Sequence, residues 1–156
     1  MPGISLGDIG EWLRLRGTAG VCAQQLGVVE RALELTAAYA AERKQFDHVI
    51  GGFQAVRQRL ADAYVDVEAV RLTSLQAAWR LASDLPSAEA VATAKFWAAE
   101  AGHRVAHTTV HIHGGVGIDV DHEVHRYFTA AKRLEFLLGA STSQLLALGT
   151  ELAADA

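Results

Sequence analysis

Apolar residues recur at helical spacing along most of the chain, and the polar and glycine-rich positions gather at the breaks between those runs. From about Gly7 to Arg43 the apolar positions Ile9, Leu13, Val21, Leu26, Val29, Leu33 and Ala37 recur at roughly helical spacing, with Arg14, Arg31 and Glu34 between them. The spacing predicts one long helix. Gly17, Gly20 and Gly27 each weaken it, so they imply close approach of another backbone. Gly51-Gly52 ends a short connection and Phe53 opens a second helix, running to about Ser83, with Val56, Leu60, Tyr64, Val67, Val70 or Arg71, and Leu75 as a near-heptad core stripe. Asp84-Leu85-Pro86-Ser87 reads as a turn, because proline has no amide donor, and the Ser87 hydroxyl can cap the helix that follows. Val91, Ala94, Ala98, Ala101, Val105 and Ile112 make that third helix, rich in small residues that let neighbours pack tightly.

The third pattern stops in the stretch from His111 to Arg126, HIHGGVGIDVDHEVHR. Gly114, Gly115 and Gly117 allow positive φ and close approach of backbone to something flat or charged. Taken alone, the cluster reads as a helix C-cap and a loop. Asp119 or Asp121 can cap a fourth helix carrying Val124, Phe128 and Ala131, with Lys132 and Arg133 in its last turn, where cations meet the negative end of the dipole. Leu134 to Gly139 is apolar without a helical period, and Ser141 can cap a final helix through Leu152. The architecture implied is all-α: an antiparallel four-helix bundle with a short additional C-terminal helix, joined by short connections.

Composition narrows the functional classes. A chain of 156 residues is one ordinary domain, and 51% hydrophobic residues with only two prolines favour helices throughout. The formal net charge of -4 argues against a nucleic-acid partner, which needs a basic face. A single cysteine, Cys22, excludes an internal disulfide framework and points to a reducing compartment, the cytoplasm by default. The N-terminal MPGISLGDIGEW lacks a basic region followed by an apolar core, and no uninterrupted apolar run reaches membrane-spanning length. The expectation is a soluble protein with no membrane partner.

Three constellations could carry chemistry. His103, His107 and His111 recur at helical spacing, but no glutamate follows a histidine in the zincin arrangement and no second cysteine exists. Polar, interfacial histidines are expected rather than a metal site, with a helical metal-binding bundle as the alternative. The GGVG run follows a helix, whereas the phosphate-binding glycine fingerprints follow a strand and open a helix. Arg43, Gln45 and Phe46 place a guanidinium, an amide and an aromatic face within one short segment. A guanidinium can grip a pyrophosphate bidentately; the other reading is a solvated helix end.

Taken together, RKQF from Arg43, FQAVRQRLAD from Phe53 and HIHGGVGIDVDHEVHRYF from His111 resemble, in order and spacing, the C-terminal helical domain of the flavin-dependent acyl-CoA dehydrogenases. The resemblance covers nearly the whole chain. It implies FAD as cofactor and an acyl-CoA thioester as substrate of the full assembly. In that family a carboxylate base takes the proton beside the thioester while hydride moves from the β carbon to flavin N5. The family's N-terminal helical domain and middle β domain have no counterpart in these residues, so positions 1–156 are expected to form the C-terminal-like domain alone, inactive and poor in flavin when isolated.

Resemblance also assigns roles to side chains. Arg43 would meet the pyrophosphate of a neighbouring subunit's flavin, Gln45 and Phe46 would flank it, and Ile50, Phe53 and Gln54 would line the adenosine side. His111, Gly114 and Gly115 would complete the cradle, His111 standing where a glutamine is often found. The base is where this chain departs from the pattern. Many relatives carry a glutamate just before a Gly-Thr pair; here LLGASTSQ puts Leu138, or Ala140 on a different anchor, at that position. The family's other base location falls at Gly17, and its adjacent arginine at Thr18. Glu135 is the nearest carboxylate and is expected on a solvated or interfacial turn. No catalytic residue is therefore assigned. The resemblance implies a homo- or hetero-oligomer built through the bundle, and LGAS resembles the non-catalytic subunits of mixed actinobacterial tetramers acting on steroid-derived thioesters. The alternative is a domain of an active dehydrogenase whose base comes from elsewhere.

Overall fold

The structure, a computed structural model, describes residues 6–154; the first residues of the N-terminal stretch read above for a leader lie outside the described residues. Five helices follow in order: α1 (Leu6–Glu42), α2 (Gln54–Ala82), α3 (Ala88–His113), α4 (Glu123–Phe136) and α5 (Ser141–Ala154). Between α1 and α2 lie two short antiparallel strands, β1 (Lys44–Gln45) and β2 (His48–Val49), and a 3₁₀ turn at Ile50–Gly52. A second 3₁₀ turn, Gly114–Ile118, joins α3 to α4. No helix among the described residues is long and apolar enough to cross a membrane.

Helix α3 is the hub and packs against α1, α2, α4 and α5. Half of its buried residues are alanine, so neighbouring helices approach closely. The expected positions Val91, Ala94, Ala98, Ala101, Val105 and Ile112 are all buried. One cluster joins Cys22, Val70, Ala77, Val91 and Ala98, and a second joins Val29, Ala32, Ala63, Val67 and Val105. A third, Ala40, Ile50 and Ile112, with Tyr39, Val56 and Leu60 against it, closes the end where α1 finishes, α2 begins and α3 finishes.

Several expectations need correction. On α2 the buried face is Ala63, Asp66, Val67, Val70, Ser74 and Ala77, while Tyr64 and Leu75 are exposed. Tyr64 and Leu75 each follow a buried residue, Ala63 and Ser74, and one residue is about 100° around a helix of 3.6 residues per turn, so steps of four carried the stripe off the core. On α1, Val21 and Val29 are buried, but Ile9, Leu13 and Ala37 are exposed; the buried line runs through Thr18, Cys22, Gln25, Thr36 and Ala40 as well. Gly20 and Gly27 have nothing within 4 Å of where a Cβ would stand, and Gly17 meets only the Leu138 side chain. The close backbone approach is instead at Gly51, where a Cβ would lie 2.9 Å from the Ala40 carbonyl oxygen.

The caps also differ. Ser87 is the N-cap of α3 but makes no side-chain cap hydrogen bond. Neither aspartate caps α4: the Val124 N–H donates to Nδ1 of His122, while the Asp119 carboxylate accepts from the Asp121 N–H and is spent in a local turn. Helix α4 also runs on to Phe136 and buries Leu134, so the apolar stretch after Arg133 begins as helix.

Candidate functional site

At the end closed by the third cluster, the backbone of Arg43 is held from both sides. Its N–H donates to Tyr39 O at 2.9 Å and its carbonyl accepts from the Ile50 N–H at 2.7 Å. The guanidinium is exposed and makes no ion pair or hydrogen bond among the described residues. The chain then turns back through the β1–β2 hairpin, pairing Lys44 with Val49 and Gln45 with His48. Phe46 (φ 51°) and Asp47 (φ 62°) form its tip, the both-positive geometry of a tight hairpin turn. Positive φ is costly for a bulky residue, and Phe46 is nonetheless 85% exposed.

Beside the hairpin a groove of about 290 Å³ brings together Gln45, Phe46, Ile50, Phe53 and His111, with Arg59 on its rim. Of these, Ile50 is buried and forms floor with Ile112. Gln54 opens α2 beside Phe53 and is exposed. Arg43, Gln54, Gly114 and Gly115 do not line the groove itself but belong to the chain segments that border it.

The glycines after α3 have separate jobs. Gly114 adopts φ 66° and ψ -141°, and its N–H caps the helix on Val110 O. Open space faces both Gly114 and Gly115, with nothing within 4 Å of a notional Cβ. Gly117 is the packed one: a Cβ there would stand 3.0 Å from the Val110 Cα and the His113 Cβ. This folds the turn over His113, whose ring stacks on Tyr39 with centroids 4.3 Å apart and planes at 21°. His113 is buried, and its Nδ1–H donates to Thr109 O at 2.8 Å. Burial lowers its proton affinity below the ordinary value, the Thr109 carbonyl opposes this, and neighbouring His122 adds to it.

An uncommitted guanidinium, open glycine backbone, an exposed aromatic at a strained turn and an apolar groove with a polar rim together suit an anion flanked by a flat heterocycle. The pyrophosphate and adenosine portions of FAD have that chemistry. Sequence reading gave no role to Tyr39, His113 or Arg59, although the last two fall inside the quoted motifs, because their roles arise from contacts between helices.

The base positions tell a different story. Leu138 has φ 60° and is followed by Gly139 at 102°, in the turn between α4 and α5. Its Cδ1 lies 3.7 Å from the place a Cβ on Gly17 would occupy. The two base locations named by the resemblance therefore meet at one spot, and neither carries an ionisable group. Thr18 is buried with its hydroxyl donating to Arg14 O. Glu135 is not on a solvated turn: it lies within α4, its side chain 12% exposed, bonded by Lys132 and facing Nδ1 of His103. It is tied into the α3–α4 face and is poorly placed to receive a proton from a ligand.

His103 and His107 come together, rings 4.4 Å apart, whereas His111 lines the other groove. Among the described residues no group of three or more His, Cys, Asp or Glu side chains gathers as a metal site. A larger groove of about 530 Å³ between α2 and α3 shares Arg59 with the first, but its Arg104 is already engaged by Asp66 in a two-point pair.

Comparison with known proteins gives a family match over residues 15–153 to "Acyl-CoA dehydrogenase, C-terminal domain". Acyl-CoA dehydrogenase FadE27 of Mycobacterium tuberculosis is 60% identical over 154 residues, a span covering 94% of this chain and 41% of that protein. The chain thus matches well under half the length of that relative. Among solved structures, the ChsE4-ChsE5 complex from Mycobacterium tuberculosis superposes with a TM-score of 0.92 at 62% identity, covering 94% of this chain and 40% of that one. A variant of the Tcur3481-Tcur3483 steroid ACAD gives 0.85 at 42% identity, covering 88% and 38%.

Proposed function

This chain belongs to the acyl-CoA dehydrogenase family as its C-terminal helical domain, and on that premise we propose that it supplies the cradle for one half of an FAD without a proton acceptor of its own. The family is FAD-dependent. Arg43 grips the pyrophosphate, Gln45 and Phe46 flank it, Ile50, Phe53 and Gln54 line the adenosine side, and His111, Gly114 and Gly115 close the cradle. The observation that carries this reading is the exposed Arg43 guanidinium, unpaired among the described residues, at the same end as the open backbone of Gly114 and Gly115.

When bound, FAD supplies the hydride acceptor for α,β-dehydrogenation of an acyl-CoA thioester. The chain's own share is to bind and orient it. Leu138 and Gly17, meeting where a base would be needed, can neither hold nor move a proton, so the carboxylate comes from a partner subunit in a mixed oligomer. The ChsE4-ChsE5 complex and the Tcur3481-Tcur3483 steroid ACAD, each with two named components, support a two-subunit arrangement. Similarity to the second, a steroid ACAD, supports a steroid-derived thioester as substrate. The ring end of the flavin is held by parts of the assembly outside these residues. The buried thiol of Cys22 supports the cytoplasm as compartment.

The test is flavin occupancy of the chain assembled with a catalytic partner. Replacing Arg43→Ala removes a charge-assisted, two-point contact worth about 2 kcal/mol, so flavin affinity should fall by at least roughly tenfold. Unchanged flavin content and affinity in that variant would overturn the assignment of this corner.

A further inference from the structure

Tyr39, His113 and Gly117 are not among the residues expected to touch the cofactor, yet they join the two halves of the cradle. Arg43 begins the hairpin only one helical turn beyond Tyr39, and its N–H is bonded to the Tyr39 carbonyl. Gly114 directly follows His113. The stacked rings of Tyr39 and His113, 4.3 Å between centroids, are thus a bridge from the end of α1 to the end of α3. Among the described residues no hydrogen bond joins the Arg43 segment to the glycine bend, so their relative position depends on this packing and on the Ala40–Ile50–Ile112 cluster beneath it.

The bridge is fixed on its α3 side from several directions. The His113 ring is tied by its Nδ1–H to Thr109 O at 2.8 Å. The edge of His122, which caps α4, lies against it with centroids 5.6 Å apart. Its Cβ fills the space that a side chain at position 117 would need. A ring held this tightly sets where the glycine bend leaves the helix. A smaller aliphatic residue would keep the site apolar but would neither stack on Tyr39 nor hold the carbonyl of Thr109.

We propose that the Tyr39–His113 stack is a positioning device that sets the span between the Arg43 guanidinium and the Gly114–Gly115 backbone, so that the cofactor cradle is formed before the cofactor arrives. The stack touches no ligand. It acts through the two segments it connects, and the inference rests on the assignment of that corner to FAD.

Two measurements test it. In the chain alone, without flavin, amide resonances report the coupling directly. His113→Leu should shift the Arg43 amide together with those of Gly114 and Gly115, although Arg43 is on the far side of the stack, and His113→Phe should leave Arg43 nearly in place. In the assembled complex, loss of preorganisation should weaken FAD binding roughly tenfold in His113→Leu and Tyr39→Leu, and by no more than about twofold in His113→Phe and Tyr39→Phe, which keep a ring on each side. Rescue by the aromatic variants separates positioning from general destabilisation, which thermal midpoints of all four variants would report alongside. The inference is overturned if the Leu variants bind FAD as the parent does while Arg43→Ala does not, or if His113→Leu moves only its immediate neighbours. If Arg43→Ala also leaves affinity unchanged, the reading of the corner itself falls.

Discussion

A single residue at the centre of the bundle illustrates how tightly α3 is held. Gly102 sits opposite Gln25, which is fully buried and whose side-chain amide donates to Ala98 O at 3.1 Å and Ala131 O at 3.2 Å, linking α1 to α3 and α4. A Cβ on residue 102 would fall 1.6 Å from the Gln25 Nε2. The amide is the far end of a flexible side chain, but here it cannot swing away without breaking both bonds in a packed interior. Gly102→Ala should therefore cost about 3–5 kcal/mol, combining an overpacking penalty of about 1–3 kcal/mol with two lost hydrogen bonds of roughly 1 kcal/mol each. Chemical denaturation of the variant checks this. Adding Gln25→Ala should make the pair less costly than the sum of the two, because removing the amide removes the clash.

At the scale of elements, the hairpin between α1 and α2 is the least comfortable piece of backbone and the one nearest the proposed cofactor. Its two-residue turn asks for positive φ at both positions, which asparagine or glycine supplies readily, yet the chain places Phe46 and Asp47 there. Phe46→Asn should relieve part of the strain and raise stability by about 1 kcal/mol, read by thermal or denaturant unfolding. The same change removes an exposed aromatic face, so FAD affinity of the assembled complex should drop. A gain in both properties would contradict the role given to Phe46.

That hairpin also shows where sequence reading stops. Helices α1 to α3 were legible because 3.6-residue periodicity survives over many turns, and the break at Pro86 is unambiguous. A pair of two-residue strands has no periodicity to detect, and Phe-Asp is not a turn signature. The stripe expected on α2 misled for a related reason: two of its members, Tyr64 and Leu75, are apolar yet exposed, so hydrophobicity alone could not tell core from outer surface. The site was legible only as a set of separate motifs. That these motifs share one end of the bundle follows from packing between residues far apart in the chain, Ala40 and Ile50 on Ile112 and Tyr39 on His113.

For the molecule as a whole, α3 carries two histidines whose environments resist protonation, and this makes stability depend on pH. Burial lowers the proton affinity of His113, which faces Tyr39 and His122, and of His107, which lies near His103, Lys132 and Glu135. An unfolded chain would protonate both near the ordinary value of 6.5, before the folded one does. Below that pH the unfolded state binds more protons, so stability that is fully present above it is lost as pH falls toward the lower folded-state values. Carboxylates contribute separately and later: Glu11, held low mainly by its hydrogen bonds with Arg14, loses its contribution only as pH drops below about 4.5. Denaturation midpoints measured from pH 8 to pH 5 should therefore decline already between pH 6.5 and pH 5, ahead of the carboxylate range. His113→Phe cannot take up a proton and keeps a ring against Tyr39, so its profile should be flatter across that interval, with the residual slope left to His107. A parent protein as stable at pH 5 as at pH 8, with a profile that His113→Phe leaves unchanged, would overturn the claim that burial in the bundle resists protonation of His113.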